Sequence, residues 1–246
     1  MIAVPMNNRM WMPGQAKLQA GMPMERLHPL AKGLQFLWLF NDRDRLKARN
    51  IATPGMDATW PSINDAWPLQ SGLNIPDVAS TQRVVFPSAA LNGLTDCTMT
   101  ICTTPKAKSA DVNTNFFVTD MAGTTALAIC GNWSSSGTDY VPHCLLFTGG
   151  SGYAAGDWGN QWVVGRRELL IGVRSGPNLS FYRNGKLIET VTAPTTALSG
   201  NATGRFSDHP GATSLRTVAL HHFAMIHNRA LHPKEINQLY ALTLNW

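Results

Sequence analysis

The stretch Ser180-Phe181-Tyr182-Arg183-Asn184-Gly185-Lys186-Leu187-Ile188-Glu189-Thr190 places Asn-Gly between two short apolar runs. A two-residue type I′ turn needs positive φ at both central positions, and Asn and Gly adopt it most easily. The turn fixes the expected register, with Phe181 opposite Ile188 and Tyr182 opposite Leu187. Apolar pairs on both faces of the ribbon predict strands inside a layered sheet. Arg183 and Lys186 read as solubilising charges at the tip.

Similar runs recur on either side of this hairpin. Strands are predicted at 83–86, 97–104, 115–120, 126–130, 143–147, 161–165, 168–174 and 215–226, a spacing typical of a sandwich. Leu34 to Phe40, "LQFLWLF", places apolar side chains on both faces and predicts a strand buried on both sides. Residues 41–80, with Pro54, Pro61, Pro68 and Pro76, read as a long wrapping loop. The segment "ALHPKEINQLYAL" (230–242) predicts a closing helix with Pro233 at its first position and Glu235 at its third. Leu231 would staple onto Ile236, and Ile236, Leu239 and Tyr240 form the apolar stripe. The expected fold is all-β, a two-sheet antiparallel sandwich over 30–246 with a short C-terminal helix and an extended arm over 1–29.

The arm is distinctive in composition. It holds six of the ten Met, together with Pro5, Pro13, Pro23 and Pro29, and shows neither helical nor strand periodicity. Residues 1–50 carry eight basic and three acidic side chains, whereas the other 196 residues carry twelve of each, so the net charge of +5 resides at this end. Such a segment is expected to lie across the sandwich or to dock on an acidic partner. A nucleic-acid binder would show a denser basic face interleaved with aromatics, so that class is not favoured. No apolar run is long enough to span a bilayer, and no signal peptide is read at the start, which predicts synthesis in a cytoplasm. Cys97, Cys102, Cys130 and Cys144 have no metal-binding spacing and read as buried free thiols, with Cys97 and Cys102 on opposite faces of one strand.

Two C-terminal segments carry a family resemblance. "LLIGVRSGPNLSFYRNGKLIETV" (169–191) and "FAMIHNRALHPKEINQLYAL" (223–242) resemble laminin-G-like members of the concanavalin A-like lectin/glucanase superfamily. "HPLAKGLQFLWLFND" (28–42) is similar to the first strand of such domains, especially those encoded by bacteriophages. The resemblance implies a two-sheet antiparallel jelly roll. Such domains often carry an acidic pair before the "NRAL"-type motif, and His222-Phe223 stands there instead, which argues against their acidic calcium site.

Catalytic patterns are missing from the sequence. Glycoside hydrolases of this fold set carboxylates two apart on one strand, and none of Glu25, Glu168, Glu189 and Glu235 has an acidic residue two positions away. "GGSGY" (149–153) fails the G-x-S-x-G spacing, and no phosphate loop occurs. His221 and His227 share a face on a regular strand but lie too far apart for adjacent ligands, so structural roles are expected. Trp133, Tyr140, Tyr153, Trp158 and Trp162 lie in or beside a Gly/Ser-rich stretch and fit either a sugar platform or a packing role.

The expected function is that of a non-enzymatic phage virion protein, a capsid decoration or head-associated protein without metal or cofactor. The arm would contact the major capsid protein or another virion protein through Met6, Arg9, Trp11 and Met12, and the chain is expected to form a homo-oligomer. The alternative is a carbohydrate-binding module of a tail or host-recognition structure, using Trp133, Tyr153 and Trp158.

Overall fold

The computed structural model describes residues 28–40, 46–60, 67–69, 72–75, 84–107, 115–119, 125–131, 140–199, 203–207 and 218–244. The chain forms β1 (Leu34–Leu39), β2 (Lys47–Ala48), β3 (Ala58–Thr59), β4 (Trp67–Leu69), β5 (Gly72–Ile75), β6 (Val84–Pro87), β7 (Cys97–Pro105) and β8 (Asn115–Val118). It continues with β9 (Thr125–Cys130), β10 (His143–Thr148), β11 (Ser151–Gly156), β12 (Glu168–Ser175), β13 (Asn178–Arg183), β14 (Lys186–Thr192), β15 (Thr203–Phe206) and β16 (Ala219–His227). The helix α1 (Pro233–Thr243) follows. One sheet runs β14-β13-β12-β7-β16-β5-β4, with β1 beside β16, and the other runs β11-β10-β9-β8-β15-β6-β3-β2. The strand pairings are antiparallel throughout, as a jelly roll requires.

Strand alternation divides the apolar residues between two layers. Phe36, Trp38, Met99, Ile101, Phe181 and Ile226 point into the inter-sheet core and meet Phe86, Phe117, Leu127 and Phe206 of the opposite sheet. Leu37, Leu39, Ile171, Tyr182 and Met225 point the other way and are covered by Leu231, Ile236 and Leu239 at the helix. β1 is thus buried on both faces, as its sequence predicts. His232 caps α1 and Glu235 returns a carboxylate to the His232 backbone N–H, completing a capping box. All four cysteines are reduced and buried, and Cys97 and Cys102 occupy different layers. Burial holds the thiols of Cys97 and Cys102 up at about 12, which keeps them unreactive.

Several expectations are corrected by backbone geometry. Residues 41–80 contain the short strands β2 to β5: Asn50, whose side-chain oxygen accepts from the amides of Leu37 and Ala52, ties the segment after β2 to β1, and β5 pairs with β16. Residues 161–165 form no strand and end in a turn, in which the Arg166 N–H closes onto the Val163 oxygen and Gly165 has φ of 81°. β11 was hidden by its small residues, yet Gly149 and Gly150 (φ 56° and 82°) form another two-residue hairpin turn, pairing Thr148 with Ser151. β16 slips by one residue at His222 in its pairing with β7. The slip puts His221 among Phe40, Phe116 and Phe206 in the core, whereas His227 faces the helix layer and bonds the Leu30 oxygen. The two histidines therefore do not share a face.

The opening hairpin has its expected turn, with φ of 52° at Asn184 and 79° at Gly185. Its register is altered: Tyr182 faces Leu187, but Phe181 faces Glu189, so Ile188 is an extra residue in a β-bulge. β14 is also the sheet's edge strand, and Leu187 is exposed. The bulge and the exposed edge bring Glu189 and Leu187 to one end of the sandwich.

Candidate functional site

Arg183 is the organising residue at this end of the sandwich. It alternates with Phe181 and so points inward, where an unpaired charge would be prohibitive. Nε and Nη2 donate to the two oxygens of buried Glu168, both at 2.7 Å, and Nη1 donates to Asp157 Oδ2 at 2.7 Å. The remaining donors reach the backbone oxygens of Asn160 and Gln161 at 2.8 and 3.2 Å. All five guanidinium N–H groups are thereby used. Burial works against the charge, but the bonds to Glu168 and Asp157 outweigh it and hold the Arg183 pKa above its ordinary value. Arg183 is a buried hub, and the reading of it as a solubilising tip charge is overturned.

The hub pins the loop after β11. Asp157 Oδ1 accepts from Asn160 Nδ2 at 2.8 Å, and the Trp162 indole donates to the Gly131 oxygen at 2.5 Å. Trp162 is buried and meets Tyr140 edge to face. A loop tied at so many points presents its remaining side chains in one arrangement, so little order is lost when a ligand arrives.

Trp158 is the main side chain presented. Its indole stacks on buried His143 at 5.5 Å between ring centroids, and 47% exposure leaves its other face open to water. Gly156 lies beneath it: a Cβ there would come within 3.1 Å of the indole and 2.7 Å of His143. Burial lowers the His143 pKa to about 4, so the supporting ring is neutral at pH 7. Glu189 Oε2 accepts from Trp158 Nε1 at 2.7 Å and from the Gly156 N–H at 2.9 Å. The bulge at Ile188 sets the register of Glu189, and this carboxylate joins the edge strands of the two sheets.

Beside the platform runs an open groove of about 700 Å³ between the 157–166 loop and the β13–β14 hairpin. Its lining includes Asn160, Gln161, Arg166 and Lys186, with Val163 and Leu187 supplying exposed apolar surface. The site thus combines a fixed aromatic face, apolar patches and several hydrogen-bond donors. Among the described residues no group of three or more metal-ligating side chains occurs.

Trp158 is at this site. Tyr153 lies on β11, opposite Leu146, and packs against the core. Trp133 and the arm residues Met6, Arg9, Trp11 and Met12 lie outside the described residues. Asp157 had no expected role, and Glu168 and Glu189, read in the sequence only as carboxylates without an acidic neighbour two positions away, are brought to the site by the fold. Glu168 had a signal, since it alternates with core-facing Leu170 and so had to find an internal cation.

No family model matches the chain, and no curated protein matches it in sequence. Solved structures do resemble it. Domain 4 of AbnA, an extracellular GH43 arabinanase from Geobacillus stearothermophilus solved with arabinotriose, aligns at a TM-score of 0.61 and 13% identity, covering 85% of this chain and 98% of that domain. Trypanosoma rangeli sialidase aligns at 0.59 and 14%, covering 85% of this chain but 32% of the sialidase. The binding domain of botulinum neurotoxin serotype D/C aligns at 0.58 and 13%, covering 85% and 52%. At such identities the likeness defines the fold alone: a two-sheet antiparallel β-sandwich.

Proposed function

We propose that the chain is a non-enzymatic structural protein of a bacteriophage particle, a laminin-G-like sandwich whose exposed end binds carbohydrate. The observation that carries the binding role is the Trp158 platform, an indole braced from below by His143 and Gly156 and at its edge by Glu189, with one face open. Sugar rings stack on such faces through their C–H surfaces, and the polar groove beside it supplies partners for hydroxyl groups. A binding role also accounts for the carboxylates. Asp157 and Glu168 are neutralised by Arg183, and Glu189 holds the indole, so each has a structural task.

A bacterial glycan array tests this reading. Specific binding is expected, and Trp158→Ala should weaken it about 30-fold, the effect of losing a central aromatic anchor of about 2 kcal/mol. Silence across the array, or unchanged binding by the variant, would count against it.

The virion setting rests on the phage-like opening motif and the concentration of positive charge in residues 1–50. The Arg229 guanidinium donates to the Pro29 oxygen, so trimming should spare Pro29. Deleting residues 1–27 is expected to abolish co-sedimentation with phage particles while leaving the thermal melt of the sandwich unchanged. Retained binding would refute anchoring by the arm.

A further inference from the structure

We propose that the groove beside Trp158 selects acidic sugars, recognising a ring carboxylate through Lys186 and Arg166. This rests on the carbohydrate reading above and specifies its ligand class. The formal charges around the site cancel, with Asp157, Glu168 and Glu189 against Arg166, Arg183 and Lys186. Their hydrogen bonds do not distribute evenly. Both oxygens of Asp157 accept from protein donors, Asn160 and Arg183. Glu168 is 1% exposed and accepts from both Arg183 and Arg166. Glu189 turns one oxygen onto Trp158 and Gly156. The charges of Asp157 and Glu168 are thereby directed into the protein, and Glu189 does not line the groove.

The cations keep donors in reserve. Arg183 has none left, but Arg166 spends only Nε and one Nη2 donor on Glu168, and its side chain is 54% exposed. Three of its five N–H groups remain for a ligand. Lys186 lines the groove on the hairpin side, is exposed, and makes no ion pair among the described residues. An anionic ligand would therefore meet two cations with available donors, one on each wall, while the oxygens of Asp157 and Glu168 are occupied. A neutral sugar would gain the platform and forgo these charge-assisted bonds.

The test uses the full chain and two probes with the same sugar backbone, trigalacturonic acid and its trimethyl ester, in which each carboxylate is replaced by a neutral ester, in calorimetric titrations. The acid is expected to bind about tenfold more tightly, the effect of one charge-assisted hydrogen bond. The difference should shrink in Lys186→Ala, where only Arg166 remains, and shrink also when sodium chloride is raised to about 0.5 M, where screening extends over only a few Å. Trp158→Ala should weaken both probes alike. Equal binding of acid and ester would overturn the charge selectivity while leaving the carbohydrate reading intact. Binding of neither probe would overturn the present proposal, and the glycan array would then decide the broader one separately.

Discussion

Lowering the pH from 7 to 4 is expected to unfold the protein cooperatively. Three histidines, His143, His221 and His227, are fully buried, and burial is the main cause of their depressed basicity. Their pKa values fall from 6.5 to about 4, about 3 and about 4 respectively. Neighbouring groups modulate this. His222 pushes His221 further down, whereas the Val141 oxygen partly restores His143. At His227 the Leu30 oxygen and Glu235 raise the value and Arg229 lowers it. In the unfolded chain each would titrate near 6.5, so between that pH and about 4 the unfolded state binds more protons. The stability they contribute is complete above 6.5 and is lost as pH falls toward the folded values. A drop from 6.5 to about 4 corresponds to roughly 3 kcal/mol at one site, a large share of a typical net stability of about 5–15 kcal/mol. Urea midpoints measured from pH 7 to 4 should fall steeply, with the unfolded state taking up more than one extra proton. His227→Gln, which keeps a donor for the Leu30 oxygen, should flatten that slope by about one proton. A midpoint that stays level between pH 7 and 5 would contradict the account.

The layered sandwich was legible because local signals agreed with one another. Asn184-Gly185 gave the turn, "LQFLWLF" gave a strand buried on both faces, and Pro233 with Glu235 marked the start of the helix. What escaped was set by contacts between segments distant in sequence. The bulge at Ile188 follows from packing at a sheet edge, and the slip at His222 comes where β16 changes its partner from β5 to β1. Neither leaves a compositional trace. Arg183 is a different case. Alternation from Phe181 put it on the inward face, but its place beside a turn suggested solvent, because hairpin tips are usually wet. Here the Asp157–Gln161 loop closes over that tip and supplies the acceptors. Of the candidate site, Trp158 could be named from its Gly-rich surroundings. Its bracing by Glu189, 31 residues away, could not.

Replacing Arg183 by Met is expected to be the most damaging single change at this end of the molecule. The substitution keeps an apolar stem of similar length but leaves Asp157 without its cation and Glu168 with only the half-exposed Arg166, at 8% and 1% exposure. Breaking a buried ion pair from one side costs about 3–5 kcal/mol, mostly through the charge left behind. For a chain of this size that corresponds to a fall in Tm of roughly 10 °C or more. Arg183→Lys should recover little, since an ammonium cannot supply the paired donors that Glu168 accepts or reach the Asn160 and Gln161 oxygens at once. The triple variant Arg183→Met, Glu168→Leu, Asp157→Asn removes the uncompensated charges and should regain most of the lost stability. It should not regain function, because the backbone oxygens of Asn160 and Gln161 would still lack their donors and the loop carrying Trp158 would be less firmly held. Melting temperature and glycan affinity should therefore separate in the triple variant, the first restored and the second still weak. If both recover together, the hub is a stabilising device only, and the order of the platform must come from Glu189 and His143.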